Sequence, residues 1–305
     1  MSELELSLSN VEPIEPAEPA TVGASAAAAE RPNGQPAATV KLGRAIVITS
    51  GKGGVGKTTT TANLGSALAA MGKNVVLVDA DVGLRNLDIV LGLENRVRFH
   101  LLDVIEGKAE LDDALVRDKR NEKLHLLAAA QAREKEDVDG AEMKRLIERL
   151  RERFEYVLID SPAGIETGFR NAIIGAQHAI IVCTPEVSAV RDADRVVGLL
   201  PSDWSPELIV NRLRPALVRK GKMLSVEDVN AILRLPLLGV IPDEPGVIVA
   251  TNRGEPLALD AASPIGAAFR AIAAQITGEV AESVSAPARS GGFFSKLGAL
   301  FGAAK

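Results

Sequence analysis

Gly51-Lys52-Gly53-Gly54-Val55-Gly56-Lys57-Thr58 has the spacing G-x-x-x-x-G-K-[ST] of a phosphate-binding loop. The glycines let backbone N–H groups turn toward one point, and a helix beginning just beyond them adds positive potential there. In that frame Lys57 reaches the β- and γ-phosphates of ATP, the Thr58 hydroxyl sits on Mg²⁺, and Thr59 extends the nucleotide-binding stretch. The plain pattern does not account for Lys52. It is either an idle, solvent-facing lysine or one that serves a phosphate, including a phosphate held by another subunit.

Such a loop needs a strand before it and a helix after it. Ala45-Ile46-Val47-Ile48-Thr49 is β-branched and uncharged, the pattern of a buried parallel strand. Thr59–Met71 is alanine-rich, sets Leu64 and Leu68 on one helical face and stops at Gly72. These flanks argue against the competing reading, a glycine-rich turn that binds nothing. The alternation then continues. Strands are expected at Asn74–Asp79, Leu124–Leu127, Tyr156–Asp160, Ala179–Cys183, Leu208–Asn211 and Leu237–Pro242. Between them fall helical pieces near Leu101–Ile105 and Asp113–Leu115, and helices over Glu142–Arg153 and Ser188–Leu200. Another helix opens at the capping box Ser225–Asp228, and the last covers Ser263–Thr277. Strand–helix alternation implies an α/β fold: a doubly wound, mostly parallel sheet of the P-loop NTPase type, with helices on both faces.

Ligands of such sheets bind at the carboxyl ends of the strands. Asp79, Asp81 and Asp160 fall there. Asp160 ends an apolar strand, as a magnesium-holding acid of a nucleotide site does. Asp81 opens the loop nearest the γ-phosphate and is placed to orient the attacking water, and Asp79 to serve the outer shell of the metal. Each of the three also fits a loop-capping acid. Asn211 ends another strand at the same edge, where it either reads a purine or makes a simple turn.

Composition narrows the class. The chain has 305 residues, 47% of them hydrophobic, and a net charge of −5, so no global basic field points to nucleic acid. Cys183 is the single cysteine and is expected to be a buried strand thiol, which excludes a disulfide framework and a cysteine-ligated cluster within one chain. His100, His125 and His178 lack metal-ligand spacing. No apolar run is long enough to cross a bilayer, and the acidic N-terminal stretch resembles neither a secretory signal nor a transit peptide. A reduced, cytoplasmic setting is expected.

The two ends differ from the middle. Residues 1–42 are rich in glutamate, proline and alanine and read as a disordered extension. The nucleotide-binding domain is expected over 43–278, followed by a linker over 279–290. In 291–305, Phe293, Phe294, Leu297, Leu300 and Phe301 share one face at helical spacing, the pattern of an amphipathic helix.

Ser50–Thr59, with its second lysine at Lys52, resembles the deviant Walker A motif of the ATPase family that includes MinD and ParA. Val78–Asp88 resembles the first switch segment of that family and Asp160–Glu166 the second, and Pro185–Arg195 and Val240–Asp243 are also similar. The likeness to the MinD branch is closer. It covers about Arg44–Gly278 plus the C-terminal piece. The resemblance implies a Mg²⁺-dependent ATP hydrolase that acts in placing the division septum. It implies an ATP-dependent homodimer in which Lys52, with Lys57 and Asp81 catalytic in the same site, reaches the partner's nucleotide. It also implies binding to the inner face of the cell membrane, recruitment of the division inhibitor MinC, and discharge by MinE or a substitute. Asp192 and Asp194 would belong to the partner-binding surface, and Pro242 to the nucleotide site. The tail carries fewer basic residues than many members show. A DNA-partitioning ATPase of the ParA type and a flagellar-number regulator are the alternatives within the family. An adaptor that binds ATP without turning it over is a further one.

The tail lends itself to arithmetic. Its five large apolar side chains gain up to about 1.5–3 kcal/mol each on full burial in a bilayer. Ordering the segment, at roughly 1.5 kcal/mol per residue, cancels most of this, and Lys296 and Lys305 add about 1 kcal/mol apiece on anionic lipid. One tail therefore holds weakly, whereas two tails on a dimer bind with avidity. The competing reading packs this segment back onto the domain. Binding to anionic liposomes is expected with ATP and not with ADP, and deleting 291–305 is expected to abolish it. Sedimentation that is equal with both nucleotides, or full binding by the truncated protein, would contradict this.

Overall fold

In the computed structural model, which describes residues 41–131 and 139–279, the uncharged β-branched runs become the centre of one sheet. In chain order the first elements are β1 (Arg44–Thr49), α1 (Lys57–Ala70), β2 (Val75–Asp79), α2 (Leu87–Leu91), α3 (Leu101–Ile105), α4 (Leu111–Ala114), β3 (Val116–Arg117) and β4 (Leu124–Leu127). Then follow α5 (Gly140–Arg151), β5 (Tyr156–Asp160), α6 (Thr167–Ile173), β6 (His178–Cys183), α7 (Val187–Val197) and β7 (Glu207–Leu213). The chain closes with α8 (Pro215–Val218), α9 (Val226–Leu233), β8 (Leu237–Pro242), α10 (Gly246–Arg253) and α11 (Pro264–Thr277). The expected membrane-facing residues at 293–301, most of the linker, and residues 1–40 lie outside the described residues.

The eight strands run β3-β4-β2-β5-β1-β6-β7-β8. All pairings are parallel except β3 with β4. β1 lies between β5 and β6, so the loop after β1 opens where the chain's crossovers diverge toward the two edges, the switch point at which such sheets bind ligands. Side chains alternate between two cores. Ile46 and Ile48 of β1 face one with α1, α9 and α11, and Ala45 and Val47 face the other with α3 and α5. α1 is buried along nearly its whole length, which explains why it is small and apolar rather than amphipathic. α5 has the opposite character: Met143, Leu146, Ile147 and Leu150 are inside and its charges outside.

Most element boundaries lie within a few residues of the sequence reading. α5 starts earlier, at Gly140, because Asp139 caps it by accepting from the Ala141 N–H at 2.9 Å. Ser225 and Asp228 form the expected capping box of α9. The loop that Asp81 opens runs into α2 by Leu87. α6, α8, α10 and the two-residue β3 were not anticipated. At the N-terminal boundary, the Gly43 N–H donates to the Arg151 carbonyl at 2.7 Å. Among the described residues, no helix is long and apolar enough to cross a membrane.

Cys183 is 1% exposed at the end of β6, and burial, with the charge of Glu186 adding to it, pushes its thiol pKa up to about 12. At pH 8 only roughly one part in ten thousand is thiolate, so the native protein should not react with a disulfide reagent such as DTNB until denaturant exposes the strand. Rapid labelling of the folded protein would contradict this placement.

Candidate functional site

The loop after β1 is built around main-chain geometry. Gly54 and Gly56 take φ of 76° and 100°, a region that side chains disfavour, and Gly56 forms the N-cap of α1. The N-cap is this glycine, so no N-cap side chain covers the N-terminus of α1 where it meets the loop. That is an anion site by construction. Val55 is buried and anchors the loop. Gly51 lies so close to α7 that a Cβ there would fall 2.1 Å from the carbonyl carbon and oxygen of Asp192. Gly53 has room by comparison, its nearest neighbour being the Ala163 Cβ at 3.8 Å. Lys57 is buried and its Nζ donates to the Ser50 Oγ at 3.0 Å, while the Ser50 hydroxyl donates to the Lys52 carbonyl at 2.8 Å. Thr58 and Thr59 remain half-buried at the start of α1.

The acids lie beside this cradle. Asp79 and Asp160 are register partners across β2 and β5, each 1% exposed. Asp160 accepts from the Thr61 hydroxyl at 3.2 Å and is also hydrogen-bonded by Thr58. Burial, then the neighbouring Asp79, raises the Asp160 pKa, while Lys57 pulls it down. Burial also raises that of Asp79, against three backbone N–H groups that favour its charged form. Two buried carboxylates of this kind fit a divalent cation, whose charge would relieve both. Among the described residues no cluster of three His, Cys, Asp or Glu side chains could hold a metal ion. Mg²⁺ is bound in just this way, by one or two carboxylates together with substrate phosphates.

Asp79 also does something the sequence did not reveal. Its Oδ1 accepts from the Asp81 N–H at 3.1 Å, and its Oδ2 accepts from Asn86 and Leu87, both at 3.2 Å. It therefore holds both ends of the 81–87 loop and the N-terminus of α2. Asp81 is half-buried in this loop, which a Gly83 N–H···Ala130 carbonyl bond of 2.8 Å ties to the end of β4.

A cavity of about 290 Å³ adjoins the phosphate cradle and is lined by Gly56, Thr59, Asn211, Pro242, Val247 and Ile248, among others. Its position beyond the helix N-terminus suits a nucleoside. Pro242 and Asn211 are both part of this lining. The Asn211 amide is already engaged: Nδ2 donates to the Val55 carbonyl at 2.7 Å, and Oδ1 accepts from the Arg212 N–H at 2.9 Å. Asn211 thus fastens the phosphate loop to β7, and one amide hydrogen and one lone pair remain for a base. The α10 residues of this wall were missed, because a short exposed apolar run carries no helical periodicity.

Lys52 is not idle. Its Nζ lies 3.3 Å from Glu186 Oε2 and 3.1 Å from Ser188 Oγ, at the start of α7. Sequence reasoning did not find these partners, since no spacing rule links them to the loop. Asp192 and Asp194 are on the same helix. Asp192 is half-buried and 3.5 Å from Arg195, and Asp194 is exposed. One helix therefore presents Glu186 and Ser188 to the loop and Asp194 to solvent.

Residues 46–257 match the CobQ/CobB/MinD/ParA nucleotide-binding domain family. A septum site-determining protein MinD of Synechocystis sp. is 54% identical over 241 residues, covering 78% of this chain and 91% of the relative. MinD in the MinC:MinD cell division complex of Aquifex aeolicus superposes with a TM-score of 0.72 at 47% identity, covering 82% of this chain and 100% of that one. The Mg-ADP complex of the septum site-determining protein MinD from Pyrococcus horikoshii gives 0.71 at 33% identity, over 77% and 96% of the two chains. With its glycine loop, paired acids and adjoining cavity arranged on the sheet that these proteins share, the chain belongs to the MinD/ParA family of nucleotide-binding proteins, among the septum site-determining proteins of cell division.

Proposed function

We propose that the protein hydrolyses ATP as a homodimer, and that the ATP-bound dimer carries a division inhibitor on the inner face of the cell membrane. The observation that carries this reading is the position of Lys52. It is a second lysine at the rim of the phosphate cradle, held by one partly exposed ion pair and one hydroxyl. Exposed pairs of this kind are worth about 1 kcal/mol or less, so a partner's triphosphate can displace Glu186 at little cost. Leu84, Ile165 and Val187 support the same face. They are 61%, 40% and 64% exposed, on the segments that follow β2, β5 and β6 at one edge of the sheet.

In the reaction a water oxygen attacks the γ-phosphorus. The bond to the β,γ-bridging oxygen breaks, ADP leaves with that electron pair, and the water's proton ends on phosphate. The α1 N-terminus and Lys57 bind the transferred group, Lys52 of the partner adds charge across the interface, and Asp81 orients the water. Thr58 and Asp160 would hold Mg²⁺, with Asp79 behind them, and the ion neutralises phosphate charge when bound. The inhibitor would be MinC, bound at the Asp192–Asp194 face of α7, and MinE or a substitute would discharge the dimer there. The Aquifex relative seen in complex with MinC supports this choice of partner. The amphipathic segment at 291–305 would provide the membrane anchor.

Lys52→Ala is expected to keep ATP affinity and lose the ATP-driven dimer, whereas Lys57→Ala should lose ATP binding itself. Calorimetry and sedimentation velocity check the two properties separately. Equal loss of affinity in both variants, or an intact dimer in Lys52→Ala, would contradict the cross-subunit role.

A further inference from the structure

α10 forms one wall of the nucleoside cavity through Val247 and Ile248, yet not one of its eight residues is buried. A helix with no buried side chain has little packing of its own to fix its position. Only Val247 rests, half-buried, against the core; the other hold is at the C-terminal end. Gly254, the C-cap, is buried and meets Gly92, the C-cap of α2, main chain to main chain. A Cβ on Gly254 would fall 2.4 Å from the Gly92 Cα, and both glycines have a φ of 63°.

Arg120 closes this junction. Its Nη1 donates to the Gly254 carbonyl at 2.6 Å, and its Nη2 donates to the Leu91 carbonyl at 2.7 Å. The other side of the guanidinium is fixed by Asp118, which accepts from Nη2 at 2.6 Å and from Nε at 3.1 Å. Asp118 is itself buried and further bonded by the N–H groups of Arg120 and Asn121. A planar fork with five donors suits this task, and a lysine cannot reproduce it. The charge also sits at two helix C-termini, where a cation is favoured.

We propose that Arg120 is a positioning residue for nucleotide recognition: it clamps α10 against α2 and so fixes the nucleoside wall of the site without touching the ligand. The inference rests on reading the 290 Å³ cavity as the nucleoside pocket. Through α2, whose N-terminus Asp79 holds, the same clamp joins that wall to the loop beside the phosphates.

The test exploits the division of labour between cradle and cavity. Mg-pyrophosphate needs only the cradle, while Mg-ADP needs both. Calorimetry on the full chain compares the wild type with Arg120→Lys, and with Gly254→Ala, which disturbs the same junction from the α10 side. Circular dichroism checks that each variant is folded. ADP affinity is expected to fall about tenfold in both variants, as loss of hydrogen bonds to a charged group implies, with pyrophosphate affinity unchanged. An equal fall for both ligands would mean general loosening, and no change for either would mean that the clamp is idle. Each result overturns the proposal, and if Arg120→Lys does not fold, Gly254→Ala decides. A wild type that binds ADP no more tightly than pyrophosphate would instead remove the nucleoside reading, and this inference with it.

Discussion

Main chain meets main chain where Gly51 lies against α7, with no space for a methyl group between them. The rest of the site depends on this approach. It brings the phosphate loop onto the helix that supplies Glu186 and Ser188 to Lys52. On the opposite side Asn211 ties Val55 to the end of β7. The loop is therefore held by α7, which follows β6, and by β7 itself, and its own glycines need only supply the turn.

Charge is the second constraint. Asp79 and Asp160 sit side by side in the sheet, both out of water. Leaving both ionised is unfavourable, as the upward pKa shifts of both express. For carboxyls raised in this way, the folded state gives up stability as pH climbs from the ordinary carboxylate range to the raised values. A bound cation reverses that cost. The site thus carries an electrostatic deficit that a bound cation would relieve, while Asp79 uses its oxygens to hold the 81–87 loop.

The phosphate loop, the central strands and the acids at their ends were legible because each follows from a local rule: glycine spacing, β-branched runs, and acids at strand ends. Boundaries shifted where a cap decided them, as Asp139 did for α5. α10 was illegible for a physical reason. Val247-Ile248-Val249-Ala250 reads as an apolar strand-like run, but only Val247 rests, half-buried, against the core, so no period records which side is inside. α2 hid in a segment whose start is fixed by a side chain eight positions earlier, Asp79. The partners of Lys52 lie more than a hundred residues away, and Arg120 acts through main-chain carbonyls that no residue identity marks. What escaped the sequence is mostly contact between segments, and those contacts place the nucleoside wall and the second lysine.

The close approach of Gly51 to α7 sets the shape of the glycine loop. Isothermal calorimetry of Gly51→Ala with Mg-ATP tests it most directly. The added methyl must push the loop and α7 apart, because the atoms it meets are backbone and cannot swing away. The variant should keep the wild-type circular dichroism spectrum and lose ATP affinity by about tenfold or more. A folded Gly51→Ala protein that binds Mg-ATP as tightly as the wild type would contradict the account.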